Sequence, residues 1–155
     1  MKNCKLSWSL VAVLSIVVAL LGYKFTVGEV ESSDDGRTAV MLSKDERNMV
    51  LLEMRTWLQS SQGILAAAAQ KDFAAVSLAA KASGMGAEAG TPGSLFRKLP
   101  VEMKKLGFDT RQKFDQIAAD AAKSQDSNLV VTQLSEAMNN CIACHATYRF
   151  VEVAK

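Results

Sequence analysis

One long apolar run comes before a series of amphipathic stretches. Residues 6–23 are eighteen residues without a charge, and they follow Lys2 and Lys5, a combination typical of an export signal. As a helix this run would be roughly 27 Å long, close to the hydrocarbon thickness of about 30 Å. Because no A-x-A-like cleavage site follows it, residues 1–27 are either a cleaved signal or an uncleaved anchor in the inner membrane, and we favour the anchor. The two lysines would then stay on the cytoplasmic side.

The next segment separates this leader from the amphipathic part. Residues 28–42 (GEVESSDDGRTAVML) are polar, acidic and aperiodic, which predicts a linker between the membrane and a domain at 43–155. Ser43 and Glu46 have the S-x-x-E spacing of a capping box, so a helix is expected to begin there and to reach about residue 69. Positions three and four residues apart predict its inward face: Leu51, Met54, Leu58, Ser61 and Leu65, with Ile64 and Ala68 beside them.

Three further amphipathic stretches follow, at about 73–84, 100–123 and 128–145. Asp72 is a suitable cap for the first of them, and Pro100 suits the start of the second. No segment alternates like a strand. The predicted fold class is therefore all-α, an antiparallel four-helix bundle preceded by the N-terminal signal or anchor helix. Many inward positions are alanine or another small residue, and we expect the space they leave to hold a bulky group.

Charge does not favour a nucleic-acid partner. Three of the eighteen Lys and Arg residues lie in the leader, so the chain from Gly28 onward carries fifteen basic and sixteen acidic side chains. Nucleic-acid binding depends on a basic surface that neutralises phosphates. This composition therefore gives that class of function no support.

The chemistry is concentrated in one motif near the C-terminus. Cys141, Cys144 and His145 form C-x-x-C-H, the attachment signature of c-type haem. On a helix these positions lie along one face, so two thiols can form thioethers with the vinyl groups while the imidazole reaches the iron. His145 is the only histidine of the chain, which leaves it as the proximal ligand. The bundle is accordingly expected to carry one covalent haem c.

Three other sites could use two cysteines and a histidine. Zinc needs more protein ligands than the exported part offers, because Cys4 lies ahead of the apolar run. A thioredoxin-type dithiol belongs beside a βαβ pattern, which the sequence does not show. A disulfide between residues three apart on a helix would be strained. Each alternative remains open, but haem attachment agrees best with the export signal and the helices.

The stretch CIACHATYR, at 141–149, resembles the C-terminal motif of the cytochrome c′ family, and the resemblance covers roughly residues 43–151. It implies a left-handed four-helix bundle with haem between the helices. Arg149 matches the family arginine beside the proximal imidazole, and Tyr148 matches the accompanying aromatic residue. Both also suit ordinary surface or interfacial positions. Homodimers occur among several members of the family, so a homodimer is one expected state.

The same resemblance places a distal residue on the first helix of the domain, where family members have an apolar side chain or a methionine. Counted back from the turn at residues 71–72, Met54 occupies that position. Met49 is its rival, but five residues on a helix rotate by about 140°, so both cannot face the haem. Val50 stands where many members have an arginine. The partners of the haem propionates are therefore open among Arg47, Arg55, Lys98 and Lys104.

With His145 and Met54 as ligands, the expected function is one-electron transfer in the periplasm, with redox proteins as partners and no enzymatic activity. The alternative is a five-coordinate haem that binds nitric oxide or carbon monoxide. A peroxidase ranks third, because no second histidine could serve as a distal base.

Overall fold

Helices dominate the structure, which is a computed structural model that describes residues 2–88 and 90–153, with side chains for 7–87 and 90–153. The side chains of Lys2, Cys4 and Lys5 lie outside this description. In the described ranges there are six α-helices: α1 (Lys2–Val27), α2 (Lys44–Ala69), α3 (Phe73–Lys81), α4 (Gly93–Lys98), α5 (Val101–Ser124) and α6 (Ser127–Thr147). A 3-10 helix spans Met85–Glu88, and three strands are β1 (Val30–Ser32), β2 (Thr38–Leu42) and β3 (Tyr148–Glu152).

The predicted helix starts of the domain are confirmed. Glu46 N–H donates to the Ser43 hydroxyl and Ser43 N–H donates to the Glu46 carboxylate, so the capping box begins α2. The Asp72 side chain accepts from Ala75 N–H at the start of α3. Pro100 stands immediately before α5, where its missing N–H costs nothing.

Four helices pack around one apolar core. Contacts run from α2 to α3, from α3 to α5, from α5 to α6 and from α6 back to α2. The core between them is made of buried apolar side chains: Ile64, Ala67, Ala68, Val76, Ala80, Phe114, Ile117, Ala118, Ala121, Val130 and Leu134.

The predicted inward face of α2 is partly wrong. Leu58 is 70% exposed and Leu65 is 45% exposed, whereas Ile64 is fully buried. The inward face of α2 is rotated by about one residue from the predicted one, because small side chains on α2 let α3 approach closely. Ser83 donates to Ser60 across this contact at 2.7 Å, and a Cβ on Gly63 would lie 3.3 Å from that of Ala79. Leucines would not fit this narrow gap.

The expectation that the chain contains no strand is wrong. Residues 28–42 include two strands of a three-stranded sheet with the order β1-β2-β3. β1 and β2 are antiparallel, and β2 pairs in parallel with β3, so that Val40 lies beside Phe150. Val40 and Leu42 are fully buried. This part of the expected linker is therefore packed against the C-terminal end of the chain.

The apolar N-terminal segment forms one continuous helix. From Ser7 to Val27 it is long and apolar enough to cross a membrane, and none of its most apolar window is buried in the protein. This confirms a helix suited to be a signal or a membrane anchor.

Candidate functional site

A cavity of about 280 Å³ lies between α2, α4, α5, the end of α6 and the sheet. This volume is close to the lower end of the roughly 300–1,000 Å³ typical of ligand pockets. Its wall is largely apolar and includes Val50, Leu51, Trp57, Leu95, Phe96, Leu99, Leu106 and Phe108. Such a wall favours contact with an apolar surface over contact with water.

Cys141, Cys144 and His145 all border this cavity. They lie on the last two turns of α6, at the i, i+3 and i+4 positions of one face. Both cysteines are half-buried free thiols, while His145 is exposed. Burial raises the pKa of Cys141 and of Cys144, and the neighbouring Cys141 adds to the shift at Cys144. The structure thus brings the three motif residues to one wall.

The motif side chains have few other possible metal ligands near them among the described residues. In the part of the chain that the structure describes, no group of three or more His, Cys, Asp or Glu side chains could hold a metal ion. A structural zinc site needs about four such ligands. The two thiols are also unpaired with each other, so no disulfide occupies the motif.

Met54 is half-buried on α2 and borders the same cavity as the motif. Its rival Met49 is 43% exposed and does not belong to the described wall. Sequence reasoning missed a second methionine, because Met103 on α5 also borders the cavity and is only 6% exposed. Its position on the apolar face of α5 was visible in the sequence, but that face alone does not tell a ligand from core packing.

Tyr148 and Arg149, which follow α6 directly, also border the cavity. Burial raises the pKa of Tyr148, and nearby Cys144 and Glu102 add to this shift. The Arg149 guanidinium lies 3.1 Å from the Asp34 carboxylate and 3.3 Å from that of Asp35. Arg149 therefore ties the end of α6 to the turn between β1 and β2.

Arg37, near the end of α6, is a further residue that sequence reasoning missed. Its guanidinium donates to the carbonyl oxygen of His145 at 3.3 Å and forms an ion pair with Asp35 at 2.7 Å. Hydrogen bonds from Arg37 lower the pKa of Asp35. Because residues 28–42 read as a linker, nothing in the local sequence placed this arginine beside the motif.

The four cations that were open as propionate partners separate into two groups. Arg47 and Lys104 border the cavity, whereas Arg55 and Lys98 are not among its described lining. Lys98 forms an ion pair with Glu46 at 2.8 Å, and the Lys104 ammonium donates to the Phe25 carbonyl oxygen at 3.0 Å. Arg47 is half-buried, and none of the described residues forms a hydrogen bond or ion pair with its guanidinium.

These residues fit a covalently bound haem. Two thiols and an imidazole line one wall, thioethers border other parts of the same apolar cavity, and Arg47 offers a cation that pairs with none of the described residues. A haem needs this combination, because its macrocycle is apolar, its iron takes axial N or S ligands, and its two carboxylates require cations. No family model, no curated protein and no solved structure matches the chain.

Proposed function

We propose that this chain is an exported c-type cytochrome of the cytochrome c′ type, which carries one electron through a single covalent haem c. The observation that carries this proposal is the meeting of Cys141, Cys144, His145 and Met54 at one apolar cavity. These four residues come from two helices, α2 and α6, and they border the same cavity.

The motif residues and Met54 would each hold a different part of the haem. Cys141 and Cys144 would form the thioether bonds, and His145 would be the proximal ligand of the iron. Met54 would fill the distal position from α2. When bound, the haem supplies an iron that accepts and releases one electron, and a methionine ligand raises its potential. With both axial positions filled, no site remains for substrate, which supports a carrier rather than an enzyme.

The packing of α2, α3, α5 and α6 supports an antiparallel four-helix bundle of the kind this family has. Each of the four helices contacts two others in a closed ring, and the connection between α2 and α3 is short. Helices joined by short connections run antiparallel. The haem would lie at one end of this bundle, near the sheet, rather than among the alanines of its core.

The apolar helix α1 supports export, and we place the domain in the periplasm. Its partners would then be redox proteins that dock at the edge of the haem. Such encounters need only a small and transient interface, below about 1,200 Å². The nearly balanced charge from Gly28 onward gives nucleic acid no place among these partners.

A second function rests on the apolar character of the wall around Met54. Val50 and Trp57 also border the cavity on α2. If Met54 only covered the iron, the distal side would be an apolar chamber suited to nitric oxide or carbon monoxide. The proximal residues would be the same in both functions.

Absorption spectroscopy of the haem-loaded protein separates the two. Electron transfer predicts a sharp, split low-spin ferrous spectrum that carbon monoxide hardly changes. Met54→Leu, which conserves volume but removes the thioether, should give a high-spin spectrum that shifts on adding the gas. Met103→Leu is the matched control and should keep the low-spin spectrum. If the wild-type protein is already high-spin, Met54 does not bind the iron. If only Met103→Leu loses the low-spin spectrum, the distal ligand is Met103 and not Met54.

A further inference from the structure

The last turn of α1 packs directly onto the domain. The Phe25 ring lies 6.1 Å from the Phe96 ring, which in turn lies 6.1 Å from the Phe108 ring. Phe96 belongs to α4 and Phe108 to α5, so aromatic side chains link three helices. Ring centroids at this separation attract one another beyond the area that they bury.

Lys104 lies beneath this aromatic cluster and is only 6% exposed. Its ammonium donates to the Phe25 carbonyl oxygen at 3.0 Å and stands 3.8 Å from the Phe25 ring centroid and 4.8 Å from that of Phe96. A buried ammonium is unfavourable unless such groups surround it. The acceptor belongs to the last turn of α1, where helix carbonyls lack partners and the helix dipole favours a cation.

The residues that follow α1 leave no length for a flexible connection. Gly28 has a φ of +77°, and a Cβ there would lie 2.3 Å from the Lys98 carbonyl oxygen. The next residue, Glu29, donates its N–H to the same oxygen at 2.8 Å. The chain then enters β1 at Val30. Only glycine fits a position with this φ and this close an approach.

We propose that α1 is a permanent membrane anchor whose last turn is an integral part of the domain, fixed there by Lys104. The domain therefore rests directly on the bilayer surface, and the wall of the cavity that contains Lys104 and Phe96 adjoins the membrane. Cleavage after Phe25, Thr26, Val27 or Gly28 would remove the Phe25 carbonyl and ring. It would take from the Lys104 ammonium both its hydrogen-bond acceptor and the nearer of its two aromatic neighbours. This proposal does not depend on the haem.

The test uses the full chain, expressed with its own N-terminal segment and purified from membranes into nanodiscs of phosphatidylethanolamine and phosphatidylglycerol. Intact mass should show that α1 is retained. Amide hydrogen exchange of the peptide at 24–30 should be as slow as in the helices of the domain, because its N–H groups are held by α1 and by Lys98. Lys104→Met should accelerate this exchange by about tenfold, the usual consequence of losing a hydrogen bond to a charged group.

Lys105→Met is the matched control, because Lys105 is 66% exposed and pairs only with Glu102 among the described residues. It should exchange like the wild type. Phe25→Leu is a second variant that keeps the carbonyl and removes the ring. Since that ring is partly exposed, the variant should fold, and it should accelerate exchange at 24–30 to a smaller extent. Three results overturn the proposal: a mass that begins after residue 23, wild-type exchange at 24–30 as fast as in a free peptide, or exchange that neither Lys104→Met nor Phe25→Leu changes.

Discussion

The rotation of α2 decides which side chains face the cavity, and a pair of core substitutions tests it. Ile64 is fully buried, whereas Leu58, which a pattern of leucines places on the inward face, is 70% exposed. Both can be changed to alanine, which favours a helix and removes a similar volume. The comparison therefore measures burial and little else.

The expected magnitudes are well separated. Ile64→Ala should lower the free energy of unfolding by about 2–5 kcal/mol, because it removes a buried side chain and leaves a cavity among α3, α5 and α6. Full burial of a leucine is worth about 1.5–3 kcal/mol. Less than a third of the Leu58 surface is shielded from water. Leu58→Ala should therefore lower the free energy of unfolding by less than about 1 kcal/mol.

Urea unfolding of the detergent-solubilised full chain, followed by far-ultraviolet circular dichroism, measures both variants. The dependence of the free energy on urea should stay unchanged, so that the midpoint reports stability alone. If Leu58→Ala destabilises the protein as much as Ile64→Ala does, α2 is rotated as the leucine pattern predicts. That result would refute the packing of Ser60 and Gly63 against α3, and it would bring Met54 from the edge of the inward face to its centre.

Two further outcomes are expected at the margins of the site. Arg47→Gln should lower the reduction potential of the haem-loaded protein by roughly tens of millivolts in a redox titration, because an unpaired propionate favours Fe(III). Arg55 lies outside the described lining, so Arg55→Gln is the control. An equal change of potential in Arg55→Gln would contradict the role of Arg47. Burial opposes the charge of Glu46, but hydrogen bonds from Lys98 and Ser43 lower its pKa below the ordinary 4.5. Its contribution to stability is therefore complete above pH 4.5 and is lost as the pH falls through the lowered pKa. In thermal unfolding measured at several pH values, Glu46→Gln should lose less stability than the wild type as the pH falls through that range. If the stability of both proteins falls equally, Glu46 does not contribute to the pH dependence.

Local rules predicted the helices of the domain because their signals lie within a few residues. The capping box at Ser43 and the Asp72 cap each involve contacts over three positions, so short stretches of sequence contain all the necessary information. The same holds for the spacing of Cys141, Cys144 and His145. A helix start and a helix face are therefore readable without knowledge of the rest of the chain.

The sheet could not be predicted in this way, because its stability comes from residues far apart. β2 is a short apolar run, AVML at 39–42, next to an acidic turn, and a run of that length has no clear period. Its parallel partner β3 begins at Tyr148, and the helices α2 to α6 lie between the two strands, as a parallel pair requires a long crossover. Arg37 therefore reaches the motif through a pairing that no local pattern shows.

The role of the small residues could not be predicted from the sequence either, because it depends on how the helices pack. Alanines on inward faces suggested space for a bulky group, but in the structure Ala67, Ala80 and Ala121 fill a tight helix core. The cavity instead borders larger side chains, such as Trp57 and Phe108. Small residues allow either a gap or a close approach of two helices, and α2 and α3 approach closely at Gly63 and Ala79.

The sheet gives the motif a fixed relation to the end of α1. The chain leaves α1 at Gly28, forms β1 and β2, and returns as β3 directly after the helix that carries Cys144 and His145. Arg149 joins that helix end to the turn between β1 and β2 through Asp35, and Arg37 of that turn donates to the carbonyl oxygen of His145. Because Lys104 also links the cavity wall to Phe25, two separate sets of contacts connect the site to the end of α1. If α1 is the permanent anchor that we propose, a haem held at the cavity would keep one height above the bilayer. A redox partner would then have to bring its own redox centre close to the membrane surface.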